Sequence, residues 1–338
     1  MTEMTVLNGA AIEELLTIPM AVEAVEQAYL EKSRGGAALW PMVFHEFDPG
    51  HADLDIKSGN LDGLGFYGLK VVSWFGANPD RGLPALYGTS LLFDLATGAP
   101  KALLNAGPIT DFRTGAAGAI GAKYLARPDA ETLLMAGTGA LAPYLIAASL
   151  YLLPQLKTVY VTNPHHPAQS AVACEVIIPQ VKKLLSACGG CHAAITAAPD
   201  LEKAVKHSDV ILTATPAHEP FLKAEWVQPG THISCIGADM SGKQEVDSAL
   251  LLPPKYLATI RHSVCQQANA RWPVRPEYSP ERFARSVRSS PARHRDAPVI
   301  LMSPSLTLPA SPCRILPPPP HCCRRHRRQG KGRQSPYN

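Results

Sequence analysis

Lys57, Lys70, Arg113 and Asp239 are of the types that can hold a carboxylate and move a proton. An arginine can grip a carboxylate through two parallel hydrogen bonds. A lysine beside it neutralises charge, and burial readily lowers its pKa. Asp239 follows the apolar run 232–236 and a Gly-Ala pair, so it stands just past the carboxyl end of a strand, where open α/β sheets bind ligands. A fixed carboxylate, a proton donor or acceptor and a dry site are what hydride exchange at an amino or imino carbon requires. Taken singly, a lysine or arginine in such a unit reads first as a surface charge or a structural ion pair.

A second group of residues is built from glycine rather than charge. Gly137-Thr138-Gly139-Ala140-Leu141-Ala142 follows the apolar run 132–136 and precedes the long apolar run 142–153. This is the GxGxxA form of the dinucleotide fingerprint in a strand–turn–helix setting. Gly137 permits the tight turn, Gly139 lets a pyrophosphate approach the backbone, and Ala142 lets helix and strand pack closely. The helix start offers free N–H groups and partial positive charge to phosphate. NAD or NADP is the cofactor this implies. A second strand, 158–162, ends where a ribose reader belongs, but Asn163-Pro164-His165-His166 has neither the acid that selects NAD nor the arginine that selects NADP. Asn163 could bond either sugar, and the choice of cofactor stays open.

These residues need elements to position them. Val22, Val25 and Tyr29 at helical spacing predict a helix over 18–32, and 69–75 reads as a buried strand. Strands over 86–93 and 101–105 flank a turn, and the alanine-rich stretch 109–125 is helical. Beyond it, strands 132–136, 158–162, 209–214 and 232–236 alternate with helices 142–153 and 168–185. That alternation argues for an α/β fold with a doubly wound parallel sheet, preceded by an α+β unit.

At 338 residues, 46% hydrophobic and 18% charged, the chain has room for two domains and an ordinary globular core. The first ten residues lack the basic and apolar regions of a secretory signal, and no apolar run is long enough to span a bilayer. A cytoplasmic location follows as the default, and the eight cysteines read as free thiols. Cys188-Gly189-Gly190-Cys191-His192 has haem-attachment spacing, but that chemistry needs an exported chain, and a tight turn is expected there. The net charge of +4 hides an asymmetry: residues 271–338 hold 13 arginines and one lysine against three acids. Aperiodic, arginine- and proline-rich sequence of this kind is what a GC-rich reading frame gives when shifted, with the shift falling between 258 and 275. A basic arm binding nucleic acid through its phosphates is the competing expectation; no motif and few aromatics accompany it.

Read together, several stretches resemble the ornithine cyclodeaminase/mu-crystallin family of NAD(P)-dependent enzymes. They are Gly68-Leu69-Lys70, the hairpin 86–104 with its Asp94, Thr97 and Gly98 turn, Ile109-Thr110-Asp111-Phe112-Arg113-Thr114, Leu125-Ala126-Arg127, the glycine turn, 209–215, and Gly237-Ala238-Asp239 with Gly242-Lys243-Gln244-Glu245. The resemblance implies a homodimer of two-domain protomers: residues 1–115 for substrate and dimerisation and 116–258 as a Rossmann domain; the Arg/Pro-rich tail over 259–338 departs from the family and is expected to be disordered or frameshifted. It assigns Lys70 and Arg113 to the substrate carboxylate, with Lys70 close to the reacting carbon. Asp239 matches the aspartate near the amino group, absent from the mu-crystallin branch. Thr114, the turn from Gly137 through Thr138, Gly139 and Ala140 to Leu141, Asn163, and Thr213-Ala214-Thr215 go to the cofactor. Lys243 and Glu245 are expected in a loop and the helix after it.

Two departures bear on the substrate. Where ornithine-using members carry a glutamate, this register has Lys57, which would repel a distal ammonium and attract a carboxylate. Where the family has an arginine near residue 43, the nearest polar residue is His45. The expectation is a hydride transfer at the α carbon of a small amino or imino acid, with an acidic second group suiting Lys57. Ornithine cyclisation and a non-catalytic NADP-binding protein are the alternatives. The partner is a small substrate, with no membrane and no nucleic acid.

Overall fold

The computed structural model describes residues 4–238, 242–251, 256–258 and 299–301. The first part of the chain runs β1 (Thr5–Leu7), α1 (Gly9–Leu15), α2 (Ile18–Ser33), β2 (Ala37–Leu39), β3 (Val43–Asp48), β4 (Ala52–Leu61), β5 (Phe66–Phe75), β6 (Leu86–Asp94), β7 (Pro100–Asn105) and α3 (Ala106–Leu125). The second runs β8 (Thr132–Ala136), α4 (Ala142–Leu152), β9 (Thr158–Thr162), α5 (Ser170–Leu185), β10 (Ala194–Ala197), α6 (Leu201–Lys206), β11 (Val210–Thr213) and β12 (His232–Cys235), then β13 (Tyr256–Ala258) and β14 (Val299–Leu301).

The first part forms a seven-stranded sheet in the order β1-β7-β6-β5-β4-β2, with β3 also paired to β4. All pairs are antiparallel except β1 with β7. The β6–β7 turn closes on Asp94, whose Oδ1 accepts from Ala96 N, Thr97 N and Thr97 Oγ1. Lys101 and Thr97 hold that carboxyl down at about 2. The strands β2, β3 and β4 were not expected. β4 nevertheless alternates the apolar Ala52, Leu54 and Ile56 with the charged Asp53, Asp55 and Lys57, the period-2 pattern of a half-buried strand with its charges on one face. Ten consecutive residue pairs with β5 hold it in place.

The second part is a five-stranded, all-parallel sheet in the order β10-β9-β8-β11-β12. Its central strands are apolar on both faces, as helix-covered parallel strands must be; Leu133, Leu134, Met135, Ile211 and Leu212 are fully buried. Four strands were read from the sequence, and the fifth is β10, an edge strand after the Cys188–His192 segment. Gly189 and Gly190 there both have positive φ, so the expected tight turn is present.

Helix α3 joins the two sheets. Asn105 caps it by accepting from Gly107 N. Its alanines and glycines leave room for a neighbour: a Cβ on Gly115 would stand 2.6 Å from the Tyr144 carbonyl oxygen in α4. Ser234 Oγ in β12 donates to the Gly118 carbonyl. The boundary expected at 115/116 therefore falls inside one continuous helix. The expectations for 259–338 lie outside the described residues, apart from Val299–Leu301, which pairs in parallel with β13.

Candidate active site

Strand geometry places the cations. In the β4–β5 ladder Lys57 lies directly opposite Lys70, and Asp55 opposite Val72. Residues two apart on a strand share a face, so Asp55, Lys57 and Lys70 project from one side, together with Ser90, which pairs with Lys70 across β6. Helix α3 covers this side: Gly88, on the same face, would bring a Cβ to 3.0 Å from that of Ala106. Lys57 is thus a strand residue. Its Nζ donates to Asp55 Oδ2 at 2.8 Å and its side chain stays 37% exposed. Asp55 Oδ1 is buried and accepts no hydrogen bond from the protein.

Lys70 is the electrostatic centre of the cluster. Burial first, then the Arg113 guanidinium and the Lys57 ammonium, lower it from 10.5 to about 7, against the pull of Asp55. It therefore exchanges a proton near neutrality, where a general acid or base works best. Two further groups on α2 and α3 face Arg113. Burial pushes Tyr29 up to about 12, and Asp111 up to about 6, with Arg113 opposing both and Glu13 adding to the rise of Asp111. Asp111 belongs to the same stretch of α3, and its place beside the half-buried Arg113 is visible only in the folded chain.

The nucleotide crevice lies at the carboxyl ends of β8 and β11. Gly137 has φ +130°, and a Cβ there would run into the Ala214 carbonyl oxygen. Gly139 has nothing within 4 Å of a would-be Cβ, and both Gly139 and Ala140 are exposed. Leu141 provides no side-chain cap to α4; Ala142 N donates to the Gly139 carbonyl and Pro143 has no N–H, so the donors for a phosphate come from the turn that precedes the helix. A bare glycine turn before an uncapped helix fits a pyrophosphate. The second strand ends as an Asx turn: Asn163 Oδ1 accepts from His165 N and His166 N, and Nδ2 donates to Thr138 Oγ1 at 3.2 Å. Asn163 thus spends most of its side chain on linking the two turns, leaving one N–H for a ribose. The His165 ring packs edge-on against Phe221.

Other expected cofactor residues have internal partners. Thr114 is buried, and its hydroxyl donates to the Thr110 carbonyl at 2.6 Å. Thr213 and Thr215 direct their hydroxyls to Glu245, leaving Ala214 to line the crevice through its backbone. Asp239 lies outside the described residues. Glu245, expected in a loop leading into a helix, is instead 1% exposed, and a 3-10 turn at Ser248–Leu251 follows it. No cluster of metal-ligating residues occurs among the described residues, and no helix there is long and apolar enough to cross a membrane.

Comparison with known proteins agrees with this geometry. The model of the ornithine cyclodeaminase/mu-crystallin family matches residues 2–268. The alanine dehydrogenase of Archaeoglobus fulgidus is 36% identical over 253 residues, 75% of this chain and 73% of that protein. The solved structure of an archaeal alanine dehydrogenase dimer with bound NAD superposes with a TM-score of 0.72 at 30% identity, covering 89% of this chain and 91% of that one. The iminosuccinate reductase of Paracoccus denitrificans, solved with NAD+, gives a TM-score of 0.74 at 27% identity over the same shares.

Proposed function

This chain belongs to the ornithine cyclodeaminase/mu-crystallin family, and on that premise we propose that it exchanges hydride between a nicotinamide nucleotide and the α carbon of a small amino or imino acid. It is an NAD(P)-dependent oxidoreductase of that family's type. The observation that carries the assignment of roles is Lys70, brought to about 7 between Lys57 and Arg113 on the covered face of the sheet. Arg113 grips the substrate carboxylate and Lys70 neutralises it while handling the proton at the reacting carbon. The nicotinamide supplies or accepts the hydride; the Gly137–Leu141 turn and the start of α4 hold its pyrophosphate.

Lys57 sets the side-chain preference. A distal ammonium would meet both Lys57 and Lys70, which disfavours ornithine. A second carboxylate would draw Lys57 away from Asp55, and the reading of an acidic substrate gains from the likeness to iminosuccinate reductase. Dimerisation uses the opposite face of the same sheet. There Tyr67 stacks on Phe93 with Trp40 tilted against it, Phe47 stacks on Phe75, and Phe47 is 57% exposed. Exposed aromatic residues gathered on one face suit an interface, and the similar alanine dehydrogenase is a dimer. The test is a panel of 2-oxo acids with ammonia, and of L-amino acids including ornithine, with both cofactors, followed by nicotinamide absorbance. Turnover of an oxo acid is expected, fastest with an oxo dicarboxylate; conversion of ornithine with no oxo acid reduced would sink the reading.

A further inference from the structure

The one deeply buried carboxylate among the described residues has no part in the chemistry above. Glu245 is 1% exposed and accepts four hydrogen bonds. Its Oε1 takes Thr215 N at 2.7 Å and Thr215 Oγ1 at 2.9 Å; its Oε2 takes Thr213 Oγ1 and Gly237 N, both at 2.8 Å. Each oxygen therefore serves one hydroxyl, which can rotate, and one backbone N–H, which cannot. Backbone bonds lock the same segment in place: Phe221 N and Leu222 N donate to the Glu245 carbonyl, and Gln244 N to that of Ala217. Gly237 sits so close to Thr215 that a Cβ would strike its backbone.

The positions tied together are the ends of β11 and β12, and they adjoin the Gly137 turn through Ala214. They form one wall of the crevice assigned to the nucleotide. We propose that Glu245 is a positioning residue for the nicotinamide cofactor: it fixes the backbone of Thr215 and Gly237 so that this wall keeps its distance from the Gly137 turn. The inference rests on the reading of the crevice as a nicotinamide nucleotide site. Burial raises the Glu245 carboxyl and its four donors lower it, while the buried Cys235 thiol on β12 is the titratable neighbour facing it.

The test uses the full chain and NADH and NADPH themselves, with binding read by quenching of protein fluorescence and folding by thermal melting. Glu245→Gln keeps the shape but sets an amide N–H against a backbone N–H whichever way it turns. The expected result is a cofactor Kd raised tenfold or more, and a raised KM for cofactor with a smaller change in kcat. Thr213→Val, which removes one donor and fills the same volume, serves if Glu245→Gln does not fold; a Kd raised several-fold is expected, with Thr213→Ser restoring it. Variants that melt earlier yet bind cofactor as the parent does would make Glu245 a brace of the fold alone and overturn the proposal. A parent chain that binds neither nucleotide would overturn the crevice reading along with it.

Discussion

The two halves of the site are made from opposite materials. The substrate half concentrates charge on the inner face of an antiparallel sheet: Lys57 opposite Lys70, Asp55 beside Lys57, Arg113 above. The nucleotide half uses a glycine turn, a helix start and backbone carbonyls, and its buried carboxylate is consumed by four internal donors. Charges packed together perturb one another, so each acts through its neighbours' ionisation. Backbone geometry does not titrate, and its failures are steric. Substitutions in the first half should therefore change turnover, substrate KM and pH dependence, and those in the second should change cofactor affinity and pH-independent stability.

The largest break in that contrast is expected from Lys70→Met, which removes the proton-handling group and should lower kcat/KM by about 10²–10⁴-fold with cofactor affinity intact. Next, Arg113→Met leaves a substrate carboxylate unpaired and should cost about 2–5 kcal/mol in substrate KM, read by steady-state kinetics. In the other half, Gly137→Ala combines a positive φ with a clash at Ala214; melting and cofactor titration should show a loss of about 1–3 kcal/mol and weakened binding. Gly139→Ala, in open space, should leave melting unchanged and weaken only cofactor binding, which separates fold strain from ligand approach.

The finest test is electrostatic. Lys57→Met removes a cation that depresses Lys70, so the limb of the pH–rate profile near 7 should move to higher pH. Asp55→Asn removes the opposing anion and should move it lower. Because the folded pKa of Lys70 lies below its unfolded value, the unfolded chain binds more protons between about 7 and 10.5, and stability from this group rises with pH across that window. Lys70→Met should flatten that rise in a pH series of denaturation curves.

The same contrast explains what could be read in advance. The nucleotide half is local in sequence: β8, the turn and α4 are consecutive, and the expected strand 132–136 is the observed one. The substrate half is assembled by pairing across distance. In β4 the apolar Ala52, Leu54 and Ile56 alternate with Asp53, Asp55 and Lys57, a local strand pattern, but which strand it pairs with and in what register are not local. Lys57 was singled out by its charge, but its position opposite Lys70 is a matter of register between strands. Glu245 escaped for a similar reason, since three of its four hydrogen bonds come from Thr213 and Thr215, some thirty positions earlier.

Helix α3 carries Arg113 into the substrate half and, two residues on, presses Gly115 against the Tyr144 backbone. A single uninterrupted helix that walls both halves leaves no seam along which one could melt while the other holds. Amide hydrogens of β5 and β8 should then exchange in one common opening event, and calorimetry should record a single unfolding step rather than two.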